Sequence, residues 1–166
     1  MKKQLSNHAH AAKLIRLDLK EAFPSITFKV KSSSFSGGSS VDIYWSDGPT
    51  TSQVDSIVNK YKYGSFDAMQ DLYEITNIRK DIPQVKYVHS NRKLSKEIIL
   101  EAFHAHQNAV SNWREIEDKD INTCSLEMMD ATNFWSPGDY LHNRLYRVDL
   151  TLGFPGVNCL FDCNLL

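Results

Sequence analysis

A chain of 166 residues, 42% hydrophobic and 23% charged, suits one globular domain, or one domain with a substantial extension. The formal net charge of -1 argues against a wholesale polyanion binder while leaving room for a local basic patch. No apolar run is long enough to span a bilayer, and Lys2-Lys3 has no apolar stretch behind it, so a secretory signal is not expected.

Ser6 or Asn7 can cap a first helix that runs to about Ala22, since Ala12, Ile15, Leu19 and Ala22 form one apolar stripe flanked by Lys13, Arg16 and Lys20. Pro24 ends it, because it disfavours helical geometry at Phe23 and supplies no amide donor. A hairpin follows at once. Ile26, Phe28 and Val30 alternate with Thr27, Lys29 and Lys31, and Val41, Ile43 and Trp45 alternate with Asp42, Tyr44 and Ser46. That is the period-2 pattern of two strands with one buried face each. Gly37-Gly38 permits the reversal, and the serines around it can bond local backbone. Phe35 breaks the alternation at the tip. It either folds back as a lid on the core, the expected outcome, or stands in solvent as a contact.

Ser46-Asp47-Gly48-Pro49 turns the chain, and Thr50 to Gln53 has the spacing of a capping box. Val54, Ile57, Val58 and Tyr61 then give the stripe of a helix ending near Gly64, which should cover Phe28, Val30, Val41, Ile43 and Trp45. Leu72 to Thr76 and Val85 to His89 have strand character and are expected to extend the same antiparallel sheet. Ser95 caps a third helix through about Trp113, with Ile98, Ala102, Ala105, Ala109 and Trp113 inward. The fold class is therefore α+β, a small antiparallel sheet packed against helices, with residues 6–113 as the domain.

Residues 114–166 differ in character. Glu115, Glu117, Asp118, Asp120, Glu127 and Asp130 read as a linker or a solvated helix face, and Ser136 to Asp139 starts a short helix through Tyr140, Leu141, Leu145 and Val148. The apolar tail from Leu152 to Leu166 is expected to dock on its own domain or to join two copies in a homodimer.

No catalytic signature stands out. The six serines between Ser32 and Ser40 lack the elbow that exposes a nucleophile, and Gly37-Gly38 has no helix behind it to hold a phosphate. His8/His10 and His104/His106 are spaced to splay apart on a helix, and Cys159 and Cys163 have no further ligands in view, so neither metal nor cofactor is expected. Cys124 makes the cysteine count odd, in keeping with reduced thiols in a cytoplasm. Asp67, Asp71 and Glu74 would cluster on one face if helical, which keeps a nucleic-acid-processing or modifying enzyme as the alternative reading. The basic residues offer more. Lys13, Arg16, Lys20, Lys29 and Lys31 can form a cationic surface, with Tyr44 as an aromatic platform in the outward phase of its strand. Phe35 serves equally well as a contact for a protein partner.

Ala12 to Arg16, Ala22-Phe-Pro24, Phe28 to Val30, Ser32 to Gly38, Ser40 to Ile43, Trp45 to Pro49, Ile57 to Tyr61 and Phe66 to Met69 together resemble a large polyvalent-protein-associated domain, the type numbered twenty-nine. The likeness covers about Ser6 to Asn91. It implies an accessory protein of a phage or plasmid acting in a bacterial cytoplasm, and it brings no catalytic residues with it. The expected activity is non-enzymatic binding of nucleic acid or a host protein, with a counter-defence role among the expectations.

Overall fold

The computed structural model describes residues 6–109 and 145–156. The acidic stretch, Trp113, the cysteines, the start of the helix at Ser136 and most of the apolar tail lie outside the described residues. The chain divides into two compact units, Met1–Trp45 with Thr51–Arg92, and Ser46–Thr50 with Lys93–Leu166.

In the first unit, helix α1 spans Asn7–Ala22 and buries Ala11, Ala12, Ile15 and Leu19. Ser6 stands at its N-cap, yet its hydroxyl pairs with the His8 ring at 3.0 Å instead of capping a backbone amide. At the other end the Phe23 amide closes onto Leu19 O, and Pro24 prevents another turn. The hairpin is formed by β1, Lys29–Phe35, and β2, Gly38–Ser46, which pair antiparallel with Val30 opposite Ile43 and Phe35 opposite Gly38. Both strands reach further toward the tip than the alternation of Val30, Ile43 and Trp45 alone implies.

Helix α2, Thr51–Val58, stops short of Gly64, and a single 3-10 turn, Asn59–Tyr61, carries the apolar stripe onward. Val30, Val41, Ile43 and Trp45 lie in one core with Val54, Val58 and Tyr61, and Phe28 and Ile57 pack against its margin. The expected covering of the hairpin by α2 is thus present, but α1 contributes as much, through Ile15 and Leu19. Each of these buried aliphatic side chains contributes about 1.5–3 kcal/mol relative to exposure.

The rest of the sheet departs from the sequence reading. Strand β3, Gly64–Asp67, and strand β4, Leu72–Ile75, pair only with each other, as a separate two-stranded ribbon. Gly64 makes this possible. A Cβ there would sit 2.1 Å from Glu74 O and 2.6 Å from the Tyr73 ring. The third strand of the main sheet is β5, Tyr87–Lys93, and the order is β1-β2-β5. The Lys86 amide donates to Ser39 O and the Asn91 carboxamide to Ile43 O, so β2 and β5 ascend together. They are parallel, not antiparallel as expected. A parallel partner needs a crossover, and α2, the 3-10 turn and the ribbon supply it.

Two carboxamides fasten that crossover. Gln84 Nε2 donates to Lys60 O and Asn77 O, both at 2.8 Å, and Asn77 Nδ2 donates to Lys62 O at 3.0 Å. Beneath them, the Tyr61 hydroxyl donates to Asp18, whose carboxylate also pairs with Lys60 at 2.7 Å. Burial raises the Tyr61 hydroxyl well above the usual tyrosine range, and its bond to Asp18 adds to the effect. Burial likewise pushes Tyr73 up to about 12, with Tyr63 and Tyr87 beside it. The unfolded chain releases these protons near pH 10, before the folded chain does. Stability is therefore expected to hold below pH 10 and to fall as the pH rises through about 12. Melting temperatures from pH 8 to 12 check this, and Tyr73→Phe should flatten the decline.

In the second unit, Asp47 has a positive φ of 52°, a conformation its short polar side chain tolerates. Its amide donates to Lys93 O and its carboxylate accepts from the Ser95 amide at 2.8 Å. Ser95 then caps helix α3, Lys96–Ala109, accepting from the Ile98 amide, as expected. Ile99 and Ala102 are buried on α3, whereas Ile98 is half-buried. Residues 145–147 are helical, and the Leu150 amide donates to Gly48 O. Of the tail residues described, Leu152 is fully exposed and Phe154 is half-buried.

Candidate functional site

One face of the three-stranded sheet is packed on the helices and the other is mostly open, with Ser40 buried on it. The pleat sends Val30, Ile43 and Val88 to the core, together with Ser90, whose hydroxyl donates to Asp55 of α2. The opposite phase carries Lys29, Lys31, Ser33 and Phe35 on β1, Tyr44, Asp42 and Ser40 on β2, and Tyr87, His89 and Asn91 on β5. Lys29, Lys31, Phe35, His89 and Asn91 are exposed, and Tyr44 and Tyr87 are half-buried.

Phe35 reaches across this face. Its partner on β2 is Gly38, which has no side chain to stand in the way. Phe35 is 49% exposed and stays off the core, so the expected lid is not formed. The ring instead lies near-parallel to Tyr87, 6.3 Å between centroids, and Tyr87 lies near-parallel to His89 at 5.9 Å. Tyr73 meets Tyr87 edge-on and Tyr63 meets Tyr73 edge-on. The Tyr73 hydroxyl donates to Lys86 O at 2.6 Å, which ties the ribbon to the start of β5. The Lys86 ammonium rests over the Tyr73 and Tyr87 rings and donates to Gly37 O at 3.1 Å. Such ring and cation contacts are each modest, about 0.5–1.5 kcal/mol, but together they hold the row in one arrangement.

The basic residues divide in two. Lys29 lies directly opposite Tyr44, and the Lys31 ammonium is 5.9 Å from the Tyr44 ring centroid. Asp42, opposite Lys31, is the carboxylate on the same face and reduces its charge. Lys13, Arg16 and Lys20 form an exposed stripe on α1. The Arg16 guanidinium donates to Val30 O at 2.6 Å, on the outer strand of the sheet. That bond sets Arg16 beside the backbone between Lys29 and Lys31, so the two groups meet along β1. Phe35 is on the same open face but six residues beyond Lys29, a span of about 20 Å.

The acidic trio does not gather as the alternative reading requires. Asp67 and Glu74 are on strands and Asp71 is in the intervening turn with a φ of 50°, so the helical face that would gather them does not exist. The Asp67 carboxylate accepts from the Met69 and Gln70 amides and shapes the turn. Among the described residues, no three His, Cys, Asp or Glu side chains converge to hold a metal ion. A groove of about 570 Å³ lies beside His10, Tyr63, Arg79 and Gln84. Arg79 is paired with Asp81 there, and Gln84 is spent on the backbone. Asn7 and Lys80 also line it.

Tyr87, His89, Lys86 and Tyr73 are the members that the sequence reading missed. Alternation along Val85 to His89 does place Tyr87 and His89 in one phase. Only the pairing of β2 with β5 brings them to Phe35.

A family model described as large polyvalent protein associated domain 29 matches residues 6–95. Neither the curated proteins nor the solved structures contain a match to the chain. Among the described residues no helix is long and apolar enough to cross a membrane.

Proposed function

The chain belongs to the large polyvalent protein associated domain 29 family, a domain of mobile-element proteins, and on that premise we propose that it binds nucleic acid along β1. The observation that carries this reading is the meeting of Lys29 and Lys31 with the α1 stripe of Lys13, Arg16 and Lys20 through the bond from Arg16 to Val30 O. Phosphates drawn to such an edge release counterions, so affinity is expected to fall with a log–log salt slope of about -0.9 per phosphate contacted on duplex DNA. Lys29→Glu with Lys31→Glu should weaken binding to all sequences alike and flatten that slope by about 2, because phosphate contacts position a protein without reading bases. Fluorescence anisotropy with random oligonucleotides from 50 to 200 mM salt is the measurement. An unchanged slope in the double variant would move the binding surface elsewhere.

A second reading has its own observation. Phe66, Met69, Leu72, Ile75 and Ile78 are all more than half exposed along and after the ribbon. Phe66 and Ile75 lie on one face of the ribbon and Leu72 on the other. Exposed apolar side chains such as these favour a protein contact, here a host factor, and counter-defence is one role such a contact would serve. Pull-down from host lysate with and without nuclease separates the two. Nuclease-sensitive recovery supports nucleic acid, and nuclease-resistant recovery lost in Ile75→Asp supports the protein.

A further inference from the structure

Resting on the nucleic-acid reading, we propose that the Phe35–Tyr87–His89 row is a stacking platform for unpaired bases, so that the ligand is a single strand and not a duplex. The three side chains come from β1 and β5 and lie on one open face. Phe35 crosses β2 at Gly38, its partner in the hairpin. A side chain at that position would start 2.8 Å from Lys86 Cδ, in a backbone conformation with φ of 152°.

The rings of the row are near-parallel, with interplanar angles of 18° and 15°, yet their centroids are about 6 Å apart. Phe35 is 49% exposed and His89 is exposed, so both rings have surface to offer a base, and Tyr87, half-buried with the Lys86 ammonium over its ring, links the two. The row is also held before any ligand arrives. Tyr73 abuts Tyr87 edge-on and is fixed by its own hydrogen bond to Lys86 O, so little ordering is left for binding to impose.

Charge lies where a backbone would run. The Lys86 ammonium stands over Tyr87 and uses one donor on Gly37 O, leaving donors for a phosphate. Further along the face, Lys29 and Lys31 flank Tyr44, which offers another ring. A duplex presents phosphates to such a surface but keeps its base faces stacked inside. The row projects no helix or loop that would enter a groove. Unpaired bases use the rings and the lysines together, without regard to sequence.

The test is anisotropy of the full chain with labelled 20-nucleotide single strands and the matching duplex, at one low salt concentration. Wild type is expected to favour the single strand. Phe35→Ala should weaken single-strand binding about 5- to 150-fold, the loss of one stacked base, and leave duplex binding unchanged. Phe35→Leu keeps the apolar contact while removing the ring and should behave the same way. That guards against an effect on folding, as does an unchanged melting temperature. If both variants bind single strands as wild type does, or if duplex affinity falls equally, the platform is wrong and the phosphate-binding edge stands. If wild type binds neither probe at tens of micromolar, the nucleic-acid reading falls and the platform with it.

Discussion

Val54→Asp is expected to cost about 4 kcal/mol or more and to leave little folded protein at 37 °C, because it puts a carboxylate with no partner into the centre of the core. Val54 is fully buried among residues from both helices and the sheet, and no rotation of α2 returns that side chain to water. Ile57 lies on the same helix but only at the margin of the core. Its replacement by Asp should cost less, about 1–3 kcal/mol, since the carboxylate can turn outward. The hydrophobic stripe alone ranks the two as equals, and the orientation of α2 separates them. Thermal melts followed by circular dichroism check the order. Equal losses, or a larger one for Ile57→Asp, would show that α2 presents a different face to the sheet.

Gly64→Ala is the second large effect, for a different reason. One methyl group would have to occupy a space 2.1 Å from a backbone oxygen on the partner strand, which cannot move without breaking the ribbon. The expected loss is about 1–3 kcal/mol in overall stability, the usual range for overpacking. It should be accompanied by separation of β3 from β4. Hydrogen exchange at the Thr76 and Asn77 amides reports this directly, because both donate to Tyr63 O, next to the substituted residue. Gly37→Ala is the matching control. Its nearest neighbour is the Phe35 ring at 3.6 Å, an ordinary contact, and little change is expected. If Gly64→Ala leaves those amides protected, the close approach of Glu74 is relieved elsewhere.

What could be read from the sequence was local. The stripe of Ile15 and Leu19, the stop at Pro24, the alternation around Val30 and Ile43 and the cap at Ser95 are each set by neighbours within a few residues, and each is present in the fold. The errors lie where distant segments decide. Gly64 reads as a helix end, but it is the close-packed start of a strand whose partner is eight residues further on. Asp67, Asp71 and Glu74 have helical spacing, yet the Asp67 carboxylate is used to build a turn. Val85 to His89 shows strand character without showing direction, and direction comes from the Lys86–Ser39 bond. The same dependence applies to the candidate site. Lys29, Lys31 and Tyr44 were legible because they share a hairpin, whereas Tyr87, His89 and Lys86 join Phe35 only through that distant pairing.

The parallel pairing of β2 with β5 also bears on synthesis. When the hairpin leaves the ribosome, the strand that completes its sheet is still unmade, for Ser39 must wait for Lys86. Until then, β2 has one bare edge and its amides and carbonyls have only water for partners. Contacts between residues so far apart close slowly, because loop entropy is spent before they form. The last strand therefore acts as a latch. A fragment ending before Tyr87 would keep α1, α2 and the hairpin yet lack the closing element. A family match that runs through residue 95 takes in that strand, so the matched segment holds every strand of the sheet.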